Sequence, residues 1–157
     1  MSDLLSIASA PLIWIGLRPA RRAAVNPVIE AQIDSDRGLV GDHAGRNADR
    51  RVTLITTVDI DAVAQSLGQV IDPAALRRNL LLDTTNAFLR AGQRYVAGEV
   101  ILEISGPCAP CARMREVLGE AGFQAMRGHG GMTARVIRGG WLRVGDQFKP
   151  LQRDLFE

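Results

Sequence analysis

The sequence predicts a mainly β fold, a β-barrel decorated by a few short helices. Many short apolar segments are separated by Gly, Asn and Asp, and residues 100–104 and 135–137 carry the β-branched side chains that favour strands. Strands at this density with glycine corners favour a closed sheet, because closure leaves no exposed edge. The predicted strands are 12–15, 28–33, 52–56, 80–82, 100–105, 134–137 and 142–148.

Helix signals are fewer, and each rests on apolar spacing together with a capping residue. The strongest is a run whose apolar residues Ile60, Val63, Ala64 and Leu67 share one face. The helices are predicted over 58–67, capped by Thr57 and ended by Gly68; over 72–77, opened by Asp72 and Pro73; and over 111–118, ended by Gly119, with a further turn over 123–126.

Length and composition predict one domain over residues 1–157, in a reducing cytoplasmic setting. A chain of 157 residues can bury a core without disulfides, and two cysteines do not make a secreted disulfide framework. No signal peptide is recognisable, and no apolar run approaches the roughly 20 residues of a membrane span. We therefore expect no membrane insertion.

Charge patterning disfavours nucleic acid as a partner. The net charge is only +2, Arg and Asp are interleaved, and aromatic residues make up 4% of the chain. Lys149 is the only lysine, so nearly all basic residues are arginines. Because the guanidinium fork suits phosphate and carboxylate, a pocket lined by arginine would favour a phosphorylated ligand.

The sharpest chemical signal is the pair Cys108 and Cys111, three residues apart in a proline-rich segment with Arg113 beside them. A neighbouring guanidinium or helix N-terminus lowers the pKa of a thiol and makes it a nucleophile or a soft-metal ligand. Two buried core thiols are an equally weighted alternative. We expect no zinc site, since the histidines are distant in sequence. Thioredoxin-type redox cycling is disfavoured outside a βαβ context.

Three further segments carry candidate site residues. The glycine-rich loop 38–45 bears Asp42 and His43, and Asp42 would fix the tautomer of His43; a plain hairpin turn is the alternative. Arg78 and Asn79 lie where a short helix meets a strand, and Arg51 precedes another strand; their donors suit an anion, although a solvated charged corner is the commoner outcome. The glycine-rich loop 128–131 bears His129, ahead of the strand with Arg135, and the imidazole either faces a ligand or caps a turn.

Taken in order, these segments resemble the MOSC domain, named for the C-terminal domain of molybdenum-cofactor sulfurase. The chain is similar to a compact, stand-alone bacterial member with a core over about 10–150. The resemblance implies a barrel distantly like the barrel domain of pyruvate kinase. The matching segments are 38–45, 51–54, 78–80, 110–114, 130–137 and 140–146.

The resemblance also implies work with molybdenum cofactor, the molybdenum–pterin known as molybdopterin. The family's cysteine matches Cys111, which would ligate molybdenum or carry sulfur. Some members reduce N-hydroxylated compounds, and this reduction is the leading hypothesis, with Asp42 and His43 as further catalytic candidates. The residues expected to contact the pterin and its phosphate are Arg51, Arg78, Asn79, Arg113, His129 and Arg135.

Two other functions remain open at this level, so the sequence leaves it uncertain whether the protein is an enzyme. In one, Cys111 carries a persulfide supplied by a separate pyridoxal-phosphate cysteine desulfurase. In the other, the protein binds a pterin or another phosphorylated ligand without catalysis, and both cysteines are structural. A reductase would need an electron-donor protein as partner, and its substrate would be a small N-hydroxylated molecule.

Overall fold

The computed structural model describes residues 8–109 and 112–152, with the backbone but not the side chains of Ala112 and Arg113. Strands dominate this part of the chain, as the sequence predicts. The strands are β1 (Ala10–Leu17), β2 (Asn26–Val28), β3 (Glu30–Asp34), β4 (Gly38–Leu39), β5 (Val52–Thr56), β6 (Leu80–Leu82), β7 (Arg94–Ala97), β8 (Val100–Pro107), β9 (Met132–Arg138), β10 (Gly140–Arg143) and β11 (Gln147–Pro150). The helices are α1 (Thr57–Leu67) and α2 (Ala112–Ala125), with 3₁₀ turns at Ala48–Arg50, Pro73–Leu76 and Asn86–Phe88.

Among the described residues, seven strands close into a barrel in the order β1, β6, β5, β9, β8, β7, β11. The barrel closes where β11 pairs antiparallel with β1, at Ala10 opposite Phe148. Strands β5 and β6 pair in parallel, whereas β8 and β9 form a long antiparallel pair. Outside the barrel, β2 extends from β1, and β10, β3 and β4 form a smaller sheet. The predicted barrel is confirmed.

The core of the described chain lies on both sides of the barrel wall. Inside, Tyr95, Leu102 and Phe148 pack with alternate residues of the other strands. Outside, α1 and α2 cover β5 and β6, burying Ile55 and Leu81 in a second apolar cluster. All five residues of β5, the polar Thr53 and Thr56 included, are buried because both faces of this strand are covered.

Predicted strands 52–56 and 80–82 coincide with β5, which is made of β-branched residues and one leucine, and with β6, which is three leucines. Two other predictions merged separate strands. The predicted strand 28–33 is divided between β2 and β3, and 142–148 is broken at Gly145, whose φ of 102° makes a turn. Strand β7 escaped prediction because it is four residues long and the apolar, half-buried Val96 hides the inward alternation of Tyr95 and Ala97.

The predicted helices are present, although the one predicted over 72–77 is the 3₁₀ turn Pro73–Leu76. Thr56, rather than Thr57, caps α1, since its side chain accepts a hydrogen bond from the backbone N–H of Asp59. Gly119 ends the first helical segment as predicted, with a φ of 76° that kinks α2, and a second segment continues to Ala125. The predicted start at Cys111 lies outside the described residues. No helix in the described ranges is long and apolar enough to cross a bilayer.

Buried polar side chains join β1 to the loop after β4 and to β6. The Arg18 guanidinium donates to both carboxylate oxygens of Asp42, at 3.1 Å through Nε and 3.0 Å through Nη2. Asn79 Nδ2 donates to Asp42 at 3.1 Å and to the Gly16 carbonyl at 3.0 Å. Burial alone would raise the pKa of Asp42, but the hydrogen bonds and charge of Arg18 outweigh it and hold the pKa below its ordinary value.

We expect Asp42→Asn to lower the free energy of unfolding at pH 7 by about 3 kcal/mol, because Arg18 would stay buried without its counter-charge. The lowered pKa means that the carboxylate stabilises the fold above its ordinary pKa of 3.8, and that this contribution is lost as the pH falls through the lower folded value. Urea unfolding measured across pH should therefore show that the free energies of unfolding of wild type and Asp42→Asn become equal in acid. Asp36→Asn, on an exposed turn, should stay within about 0.5 kcal/mol of wild type; an equal loss in both variants would contradict the role of the Arg18 pair.

Candidate functional site

A cavity of about 690 Å³ opens where the end of β8 meets the loop before β9 and the first turn of α1. Its walls are largely apolar, with Leu89, Phe123 and Met132 among them, and a few polar groups converge on it. This combination is typical of a small-molecule site. The remaining described lining residues are Asp59, Asn86, Ala87, Pro107, Cys108, Ala109, Arg127, Gly128, Gly130 and Gly131.

Arg78 holds two walls of this cavity together from behind. Its side chain is buried, and Nε donates to the Gly130 carbonyl at 2.8 Å while Nη2 donates to the Ala109 carbonyl at 3.4 Å. A third bond runs from Nη1 to the Leu76 carbonyl at 3.2 Å. Sequence reasoning expects this arginine to contact a ligand directly; in the structure its hydrogen bonds hold the cavity walls in position from behind.

The glycines of the loop 128–131 permit a close approach that side chains would prevent. A Cβ at Gly130 would lie 2.0 Å from the Cys108 carbonyl oxygen, and one at Gly131 would lie 2.1 Å from the Leu54 carbonyl oxygen. The backbone N–H of Cys108 donates to the Gly131 carbonyl at 2.8 Å. The loop is therefore packed directly onto the cysteine-bearing segment, and the Cys108 thiol is buried in the shared wall.

Asp59 contributes a buried carboxylate to the cavity wall. Its side chain is 3% exposed, and Thr56 Oγ1 donates to Oδ2 at 3.0 Å. Oδ1 lies 3.0 Å from His129 Nδ1 and accepts a longer bond of 3.4 Å from Asn86 Nδ2. These contacts fix the orientation of the carboxylate at the start of α1.

His129 lies beside the cavity, between two glycines that line it, and its side chain is 34% exposed. The backbone N–H of His129 donates to the Met126 carbonyl at 2.8 Å, which continues the chain from the end of α2 into the loop. Among the described residues, no hydrogen bond to His129 Nε2 is found. The imidazole thus contacts a buried carboxylate through Nδ1, while the rest of its ring is partly exposed to solvent.

The structure distributes the other predicted site residues away from the cavity. Asp42 and Asn79 belong to the buried Arg18 network, and the side chain of Asp42 does not hydrogen-bond the imidazole of its sequence neighbour His43, which is exposed. Arg51 donates to the Gly45 carbonyl at 3.0 Å, and Arg135 pairs with Asp49. In the described part of the chain, none of these five lines the cavity.

Two predicted residues lie where no side chain is described. Cys111 lies outside the described residues, between Ala109, which lines the cavity, and Ala112, where α2 begins. The backbone of Arg113 belongs to α2, and its side chain is not described. Within residues 8–109 and 112–152, no three His, Cys, Asp or Glu side chains are grouped to hold a metal ion by themselves.

Sequence reasoning missed Asp59, Asn86 and Arg127, all of which line the cavity. A signal existed for Asp59, because Thr56 and Asp59 have the spacing of a capping box. Asn86 and Arg127 carry no such local signal; they reach the cavity only through the packing of a 3₁₀ turn and of the end of α2.

Solved structures with the same fold support the architecture. The YuaD protein from Bacillus subtilis aligns with a TM-score of 0.81 at 17% identity, over 94% of this chain and 99% of that one. YiiM from Geobacillus stearothermophilus aligns at 0.75 and 17% identity, over 93% and 77%. YiiM from Escherichia coli aligns at 0.73 and 20% identity, over 94% and 71%. At these identities the likeness concerns the fold.

No curated protein sequence matches this chain. A family comparison, in contrast, matches the MOSC domain over residues 40–149, which is most of the 157-residue chain. The matched region includes the cavity, the loop 128–131 and most of the barrel strands. The chain therefore belongs to the MOSC domain family.

Proposed function

We propose that this protein binds molybdenum–pterin cofactor in the cavity and uses it to reduce N-hydroxylated compounds, with Cys111 as the thiolate ligand of the metal. The observation that carries the proposal is the position of the cavity in a MOSC-family barrel. Cys108 and Ala109 line it, and Cys111 follows two residues later in the chain. The family associates this barrel with molybdenum-cofactor chemistry.

The described residues fit such a group. A cavity of about 690 Å³ lies within the usual range of organic-ligand sites. Sulfur is a soft donor suited to a transition metal with sulfur chemistry, and the pterin would bring the remaining ligands. Asn86 offers an amide, and Gly128, Gly130 and Gly131 expose backbone to a ligand without intervening side chains.

Arg127 is the cationic residue among the described cavity walls, and we assign it to the phosphate of the pterin. Its side chain is exposed, with a long bond of 3.4 Å to Gln124 within the same turn, so it can turn toward an anion. We assign no cofactor contact to Arg51, Asn79 or Arg135, because their side chains donate hydrogen bonds to groups outside the cavity.

When bound, the cofactor supplies two-electron redox chemistry, and the net reaction converts an N–OH group, two electrons and two protons into N–H and water. Leu89, Phe123 and Met132 form apolar walls that would hold the organic part of the substrate and exclude water. Arg78 holds the loop before β9 and the segment after β8 in position against each other. The electrons would come from a separate reductase protein, which we propose as a partner.

The proposal is tested by loading the purified protein anaerobically with cofactor and supplying electrons from reduced methyl viologen, with an aromatic amidoxime as substrate. We expect formation of the amidine, and a loss of about 100-fold in Cys111→Ser, because metal retention depends on the thiolate. Cys108→Ser is the contrasting variant. A larger loss in Cys108→Ser than in Cys111→Ser would contradict the assignment of Cys111 as the metal ligand.

Absence of turnover in the loaded wild-type protein would contradict the reductase proposal. In that event, incubation with a cysteine desulfurase and free cysteine, followed by intact-mass measurement, separates the two alternatives. A gain of one sulfur atom that Cys111→Ser abolishes would support a persulfide carrier. No gain in either protein would leave ligand binding without catalysis.

We expect Arg127→Gln to raise the dissociation constant of the cofactor about tenfold, because a charge-assisted contact to phosphate is worth roughly 1.5–3 kcal/mol. Equilibrium dialysis against purified cofactor measures the constant. Arg143→Gln is the matched control, since Arg143 pairs with Glu30 on the small sheet and does not line the cavity. Equal affinities in the two variants would remove Arg127 from the site.

A further inference from the structure

We infer that Asp59 and His129 form a proton relay from solvent into the cavity, in which Asp59 delivers the proton to the leaving oxygen and His129 recharges Asp59. The inference rests on the proposed reduction of N-hydroxylated compounds. Loss of hydroxyl as water requires a proton at the oxygen, and the largely apolar wall of the cavity offers few side chains that can supply it.

The two side chains span the distance from the cavity wall to solvent. The Asp59 carboxylate lines the cavity and is 3% exposed, whereas the His129 side chain is 34% exposed. Asp59 Oδ1 and His129 Nδ1 are 3.0 Å apart, within hydrogen-bond distance. A proton can therefore pass from a ring in contact with solvent to an acid in contact with the cavity without an intervening group.

The partner of each buried acid distinguishes this pair from the Asp42 network. Asp42 pairs with Arg18, and a guanidinium does not give up its proton, so that carboxylate is held ionised. Among the described ion pairs, the partner of Asp59 is His129, whose two ring nitrogens let it take up a proton on one side and give one up on the other. Asp59 is therefore the buried carboxylate that can be reprotonated during turnover.

Neighbouring contacts hold Asp59 in place for this role. Thr56 donates to its second oxygen, and Asn86 gives a weaker bond to the oxygen that faces His129. The other ionisable groups of the described cavity wall are Arg127, a permanent cation, and the Cys108 thiol. Neither of them joins a buried acid to the exterior.

The step balances as follows. With two electrons that the bound cofactor would supply, cleavage of the N–O bond would need one proton from Asp59 at the departing hydroxyl oxygen, which leaves as water, and a second proton at the nitrogen. His129 would take a proton from solvent at Nε2 and pass its Nδ1 proton to the Asp59 carboxylate, and proton exchange with solvent would then return the ring to the Nδ1–H form. The net consumption is two electrons and two protons for each N–OH group.

One test needs no cofactor. In ¹⁵N NMR spectra of the unloaded protein, the uncharged His129 ring should carry its proton on Nδ1, because an ionised carboxylate only accepts hydrogen bonds. Asp59→Asn should remove this tautomer preference. A wild-type ring protonated on Nε2 would overturn the relay.

The second test measures turnover of the loaded protein. We expect His129→Ala to lower kcat about 100-fold with KM unchanged, and added imidazole to restore much of the rate, because general acid catalysis contributes on the order of 10²–10⁴. The kcat of Asp59→Asn should fall by a similar factor, and added imidazole should not restore it. Asp61→Asn, exposed on the same helix, should match wild type.

These outcomes separate the relay from the function on which it rests. An inactive wild-type protein would overturn the reductase proposal, and the relay with it. An active wild type with an equally active His129→Ala would overturn the relay and leave the reductase standing. A loss in His129→Ala that appears in KM and resists imidazole would assign the residue a structural role, which also overturns the relay.

Discussion

The cavity depends on the buried guanidinium of Arg78. Its three nitrogens donate to the carbonyls of Leu76, Ala109 and Gly130. These carbonyls belong, in that order, to a 3₁₀ turn, to the segment after β8 and to the loop before β9. A planar fork with fixed geometry suits this task better than a flexible ammonium. The glycines of the loop then let the two walls meet at backbone distance, which shapes a cavity beside Cys108.

Two buried carboxylates in the described chain show how the partner decides the role of an acid. Asp42 is fixed by arginine and stabilises the junction between β1, the loop after β4 and β6. Asp59 is paired with a histidine at the cavity, where exchange of a proton is useful. Burial of the two carboxylates is similar and the basic partner differs, so the same residue type stabilises the fold at one place and, in the proposed relay, carries a proton at the other.

Local sequence signals predicted the elements that depend on local interactions. Sequence alone predicts β5 and β6 from their β-branched and apolar residues, and the end of α1 from its glycine. Each of these signals reflects a short-range preference. The loop 128–131 was also identified, and its glycines do make close approaches. Proximity in sequence predicts a contact between Asp42 and His43, but their side chains do not hydrogen-bond each other. The pairing of Asp59 with His129 could not be predicted from local sequence, because the two residues are 70 positions apart.

The central claim is that the cavity holds molybdenum through Cys111, and molybdenum content tests it most directly. Wild-type protein and Cys111→Ser would be incubated anaerobically with purified cofactor, freed of excess, and analysed by elemental mass spectrometry. The account predicts near-stoichiometric metal in wild type and, since loss of a metal ligand lowers affinity sharply, roughly a tenth of that or less in the variant. No retained metal in wild type, or equal metal in both proteins, would contradict it.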